Sequence, residues 1–262
     1  MNRRISRTIL LAALLALGAF ALAGTASAAD TGKDKAAHRN IVSEWVIWPM
    51  RGHEQQFEEA LRKHAAWRKS AGENLRWHIY QPVVGDNLDF YVIRSNHAGW
   101  SDFDTQEDWG REHGAGMHYR TDVAPHARRE AHFFSVTDTK LSHWKEDKTY
   151  RLFAVYSYGV KAGQRETVRK VLSRIHKAVT DAKWPHSYGI DYEIGGRGGL
   201  YIVVPMKNWA GMAEPDPSLM KVMAKAMGSE KAAKGLMHEF AKATERRGMT
   251  VFAYRKDLST PD

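Results

Sequence analysis

The chain of 262 residues contains no cysteine. Disulfide frameworks, thiolate nucleophiles and cysteine-ligated zinc are therefore excluded, and so is covalently attached c-type haem, because no Cys-x-x-Cys-His can occur. After the first 28 residues no apolar run is long enough to cross a bilayer. Blocks of a single charge are missing too. The 39 basic residues are spread along the chain among 30 acidic ones, which describes a solvated surface better than a nucleic-acid footprint. The run Gly195-Gly196-Arg197-Gly198-Gly199 lacks the lysine and following helix of a phosphate loop, and reads as a hairpin turn.

What is present begins with an export signal. Arg3, Arg4 and Arg7 precede an apolar run from Ile9 to Ala23, and Ala26-Ser27-Ala28 is a small-residue cleavage site. The run is short for the alternative, an uncleaved anchor. Cleavage would remove three of the basic residues and no acid, lowering the net charge from +9 to about +6. The expectation is a periplasmic protein with a polar leader at 29–40, and with nucleic acid and membrane absent from its partners.

The rest of the chain repeats one pattern. Ile41–Pro49 is rich in β-branched and aromatic residues and predicts a strand. Phe57, Leu61, His64 or Ala65, and Arg68 then recur at helical spacing, with acids early and bases late, and Gly72 ends the helix. Trp77–Val84 and Phe90–Ser95 flank the turn cluster Gly85-Asp86-Asn87 as a hairpin. An acidic segment to Trp109 and a broken helix over Arg111–Arg129 lead to a strand at Ala131–Thr137. The second pass has a strand at Leu152–Tyr158 and a helix at Thr167–Ala182 with Val168, Val171, Leu172, Ile175 and Val179 on one face. Strands at Ser187–Ile194 and Leu200–Pro205 follow, then helices at Leu219–Gly228 and Glu230–Arg247, and a last strand at Met249–Arg255. Met220, Met223 and Met227 form a core-facing stripe in preference to a copper site. Placing Gly52 on Gly163 aligns Leu61 with Leu172, Ile79 with Ile190 and Val92 with Val203 without a gap.

Each pass is β-α-β-β-α-β, the split βαβ pattern of a ferredoxin-like fold. The fold class is α+β, with units at 41–140 and 151–258 joined by a linker at 141–150. With the glycine that opens the first helix (Gly52, Gly163) and the tryptophan after the third strand (Trp100, Trp209), the chain resembles the dimeric α+β barrel superfamily. That superfamily includes antibiotic-biosynthesis monooxygenases, EthD-like and NIPSNAP-like proteins and the haem-using chlorite dismutase group. The resemblance implies two sheets closing a barrel around a cavity, built here within one chain, although a further copy remains compatible as a partner.

In such a barrel one sheet face packs on helices and the other lines the cavity. Strand alternation then puts His78 and Tyr80 on the lining, with Asp191 and Glu193 from the second pass; solvated strand residues are the competing reading. Trp48, Tyr156 and Tyr158 are candidates for the same lining. A histidine near two carboxylates suits general acid–base work, with His78 and Asp191 moving protons. Asn96 and Trp100, with Arg94, are similar in type and spacing to residues that hold phenolic substrates in cofactor-free monooxygenases, although Asn208 and Trp209 do not repeat the spacing. The expectation is a small aromatic or apolar ligand between the halves, handled without a cofactor by an oxygenase or isomerase. Two alternatives stand beside it. One is a haem or transition-metal protein drawing a ligand from the histidines at 97, 113, 118, 126 and 132, chiefly His113, His118 or His126; His113 resembles a histidine on the second helix of monooxygenase-like members. The other is a non-catalytic binding protein.

Overall fold

The computed structural model describes residues 40–261 apart from Lys148 and Arg197. The expected signal at 1–28, and the expected leader but for Asn40, lie outside the described residues. The element order is β1 (Ile41–Pro49), α1 (Glu54–Ser70), β2 (His78–Val84), β3 (Tyr91–His97), α2 (Ser101–Glu112), α3 (Ala115–Asp122) and β4 (Ala127–Thr137). Then come β5 (Leu152–Val160), α4 (Arg165–Asp181), β6 (Gly189–Ile194), β7 (Leu200–Met206), α5 (Leu219–Met227), α6 (Glu230–Ala243) and β8 (Thr244–Tyr254).

All strand pairs are antiparallel. The first half runs β4-β1-β3-β2 and the second β8-β5-β7-β6, the same order in each. Two seams join them, β2 to β8 through Tyr80↔Tyr254 and β4 to β6 through Thr137↔Asp191, so the eight strands close into a barrel with no free edge. The chain thus has the dimeric α+β barrel architecture, made of two ferredoxin-like halves in one polypeptide.

The core lies outside the barrel, between sheet and helices. Phe57 and Leu61 of α1 are fully buried on Ile47, Ile79 and Ile93. Val168, Leu172 and Val179 of α4 meet Ile190, Leu200, Met223 and Leu236. Each such side chain contributes about 1.5–3 kcal/mol of apolar burial. Gly52 and Gly163 take positive φ, +81° and +74°, in the turns that lead into α1 and α4, with nothing within 4 Å of where a Cβ would sit. Backbone conformation, not space, therefore requires glycine there.

Three elements depart from the sequence expectation. β4 begins at Ala127 and not at Ala131, so the end of the expected broken helix is strand, paired along β1. The acidic segment after Trp100 is helical from Ser101, where Asp102 caps the turn by accepting from the amides of Ala98 and Gly99 at 2.8 and 3.4 Å. At the other end α6 stops at Ala243 and not at Arg247. Thr244 donates its hydroxyl to the Phe240 carbonyl at 2.8 Å, and Thr244–Arg246 pairs with Val160–Tyr158. Ladder hydrogen bonds to β5 outweigh the helix propensity of Glu-Arg-Arg.

Candidate functional site

Strand register assembles the inner face of the barrel. Glu44 on β1 lies directly across from Arg94 on β3, and Arg94 lies across from His78 on β2, so the three form one row along the wall. Asp191 reaches in from β6. Arg94 Nη2 sits 3.1 Å from Glu44 Oε1 and 3.1 Å from Asp191 Oδ2. Both acids have second partners, because Ser135 donates to Glu44 at 2.9 Å and Thr137 donates to Asp191 at 2.5 Å. Arg94 Nε is buried, with no hydrogen-bond partner among the described residues. The Arg94 and Glu44 side chains still keep 25% and 20% of their surface accessible although the barrel wall surrounds them. The lumen therefore admits solvent beside the ion pairs.

Around this row stand aromatics. Tyr80 meets Phe153 edge-on with centroids 5.3 Å apart, and Tyr254 at 5.4 Å. Tyr254 brings its hydroxyl to 3.5 Å from His78 Nδ1. Tyr201 donates a short hydrogen bond to Glu193. Trp48 lies beneath the Arg129 guanidinium, 4.5 Å from ring to cation, and beside Phe90.

The lumen sets the charge states. Burial raises the Glu44 carboxyl above its usual range; Arg94 pulls it down, and Asp191 and Glu193 add to the rise. Burial alone would weaken the charge on Arg94, but Glu44 and Asp191 outweigh it and hold the guanidinium protonated. Burial, then Arg76 and Arg94, lower His78, so its imidazole is neutral at pH 7. Tyr80 is pushed up to about 12, chiefly by burial, and stays a phenol. The site thus combines a neutral base, protonated phenols, a permanent cation and a carboxyl inclined to keep its proton.

Several expected residues lie here and others do not. His78, Tyr80, Arg94, Asp191, Glu193 and Trp48 occupy the inner face, and Asn96 shares that face but lies exposed near the end of β3. The carboxylates pair with Arg94 and not with His78, whose charged neighbours are Arg76 and Arg94. Tyr156 and Tyr158 point outward. They register with Ile202 and Leu200, and Tyr158 packs edge-on against Phe240 of α6. The inner residues of β5 are those between, such as Phe153. Trp100 is also outside, half exposed, against Phe103 and Phe134. It packs at the start of α2 and cannot join Asn96 in holding a ligand in the lumen.

The histidines meet a similar correction. His113 Nδ1 contacts the Trp109 carbonyl at 3.0 Å, His118 pairs with buried His64, and His126 pairs with His53. His97 stacks on Phe103 and His132 on Trp45. His113, His118 and His126 thus have three separate settings, all outside the lumen. Among the described residues no three or more His, Cys, Asp or Glu side chains are placed to hold a metal ion. His113, His118 and His126 therefore do not converge on a single ion.

Glu44, Tyr201 and Tyr254 are site residues that sequence reasoning passed over. Glu44 had a signal. It is a lone acid in an apolar strand, an even number of residues before Trp48, so the alternation that selects one selects both. Two further hollows, of about 410 and 540 Å³, lie on the outer surface. The first is lined by Gln55, Glu58, Glu59, Arg62 and Lys63, and the second includes Glu54, Leu88 and Tyr91.

No family model matches the chain, and no curated protein matches it. Solved structures do. A "putative monooxygenase" from Lactobacillus acidophilus superposes with a TM-score of 0.51 at 8% identity, over 82% of this chain and 97% of its own. A mutant chlorite dismutase from Candidatus Nitrospira defluvii superposes with a TM-score of 0.50 at 8% identity, over 83% and 94%. At such identity the likeness establishes the shared barrel fold and nothing of the chemistry.

Proposed function

We propose that the protein binds a small aromatic or otherwise apolar molecule carrying an acidic O–H or C–H in the barrel lumen, and that His78 moves a proton on it. The carrying observation is that Arg94, a buried cation whose Nε–H has no hydrogen-bond partner among the described residues, lies in the same row as a neutral imidazole. An anion forming in the ligand would meet the Arg94 donor, and its proton would pass to His78. Returning that proton to a second atom of the ligand completes an isomerisation, with no external oxidant and no cofactor. Tyr80, Phe153 and Tyr254 supply the apolar walls, and Glu44 and Asp191 fix the guanidinium so that Nε stays free. An exported setting accords with the apolar, small-residue N-terminal segment.

The test uses 2-tetralone, a small aromatic ketone with acidic C–H bonds. Its proton–deuterium exchange in D2O is followed by NMR with the protein and with its His78→Ala variant. Exchange above background that His78→Ala abolishes, with the fold intact, supports the reading. Saturable binding without exchange reduces the protein to a binding module. No binding to the lumen overturns the proposal. A haem protein is a different reading, and a Soret band in the purified full chain would favour it over the cofactor-free one.

A further inference from the structure

We infer that His53 and His126 form a surface site for one borderline transition-metal cation of the zinc, copper or nickel class. The two imidazoles come from different elements, His53 from the cap position of α1 and His126 from the 3-10 turn Ala124–His126 ahead of β4. Their Nδ1 atoms stand 3.3 Å apart, and their rings are inclined at 49° with centroids 5.6 Å apart. Four donors at about 2.0–2.1 Å from a tetrahedral ion are about 3.3 Å from one another, so the pair already spans one edge of that coordination shape. Imidazole is the side chain these ions favour, and two histidines leave two positions for water.

The backbone holds the two histidine-bearing segments together without the ion. Met50 N donates to the His126 carbonyl at 2.7 Å, His53 N donates to the Met50 carbonyl at 3.0 Å, and Phe57 N donates to the His53 carbonyl at 2.8 Å. The segment between β1 and α1 is therefore stapled to the turn that carries His126, and an arriving cation has little backbone left to order. His53 is exposed and His126 half-buried, so an ion can reach the Nδ1 atoms from solvent. The pair His64 and His118 offers a contrast. Its Nδ1 atoms lie 3.0 Å apart, but His64 is fully buried and His118 Nδ1 also contacts Asp122 at 3.0 Å. That pair is closed by protein on one side and satisfied on the other.

The experiment titrates the full chain, carrying no affinity tag, with Co2+ as a spectroscopic substitute and with Zn2+ by calorimetry. One equivalent should bind, with the intense visible bands of tetrahedral Co2+. His53→Gln and His126→Gln should each weaken binding at least about tenfold, as loss of one ligand does, and His118→Gln should not. Thermal melts of the metal-free variants guard against a folding defect, and Zn2+ should raise the melting temperature of the wild type and of His118→Gln only. Undiminished binding in the His53→Gln/His126→Gln double variant, a loss confined to His118→Gln, or no binding by the wild type would each overturn the assignment.

Discussion

Arg94 and Asp191 stand 97 positions apart in the chain and meet at 3.1 Å across the lumen, one from each half of the barrel. Their strands, β3 and β6, are not neighbours in the sheet. The contact therefore ties the halves through the interior as well as along the two seams.

Removing the cation should cost more than removing all the charges. Arg94→Met leaves Glu44 and Asp191 facing each other without a counter-ion, and should lower stability by about 3 kcal/mol in urea denaturation. Adding Glu44→Gln and Asp191→Asn to that variant should recover most of the loss. Equal destabilisation of the single and triple variants would mean that packing by the Arg94 stem, not its charge, holds the site.

Stability should respond to pH in opposite senses at two carboxylates. Burial raises Glu44 in the folded protein, so its contribution is fully present below about 4.5 and is lost as pH rises through the folded value. Glu44→Gln should remove that decline. Glu58 is lowered, first by its hydrogen bonds to Arg255, so its contribution is present above about 4.5 and lost as pH falls through the folded value. Glu58→Gln should flatten the acid limb. Denaturation midpoints across about pH 3–8, which spans the ordinary carboxylate and imidazole values, separate the two.

Acid should also act through His64. Burial, then Arg68 and His118, depress it from 6.5 to about 3, so stability present above 6.5 is lost as pH falls towards 3. His64→Leu should lessen that slope, and an unchanged slope would show that His64 already carries its proton in the fold.

The hairpin between β6 and β7 offers a steric test. Gly196 has φ +55°, and a Cβ there would lie 2.6 Å from a Phe133 ring carbon and 2.8 Å from Glu193 Oε1. Gly198 has φ +59° but nothing within 4 Å. Gly198→Ala should cost about 1 kcal/mol for the left-handed backbone, and Gly196→Ala distinctly more because Phe133 must also move. Equal melting temperatures would contradict this.

The outward placement of Tyr156 and Trp100 has a functional consequence. Tyr156→Phe and Trp100→Phe should leave exchange of 2-tetralone unchanged, whereas Tyr80→Trp, which fills the lumen, should abolish binding. A loss of ligand in Trp100→Phe would move the site out of the barrel.

The sequence made the barrel legible because each half alternates cleanly on its hairpin strands. Ile79 and Ile190 each head an apolar face, so His78, Tyr80, Asp191 and Glu193 follow on the other. It failed on β5, where both faces carry aromatic or aliphatic groups. Phe153 inside and Tyr156 outside look alike to any periodicity argument. The outward place of Trp100 is not legible in the sequence, because its position after β3 is shared by packing residues and ligand holders, and only its contact with Phe134 distinguishes them. The pairings of His53 with His126 and of His64 with His118 bridge 73 and 54 positions, a separation at which spacing within one element carries no information. The end of α6 was decided by β5, which no local propensity at Glu245-Arg246-Arg247 records.

The most direct measurement is the NMR response of the histidine side chains, ring-labelled with nitrogen-15, to 2-tetralone at pH 7. The account predicts that the His78 resonances shift saturably while those of His113 and His118 stay fixed, and that Arg94→Met abolishes the shift. A titration that moves His118 and leaves His78 unchanged would contradict the lumen as the binding site.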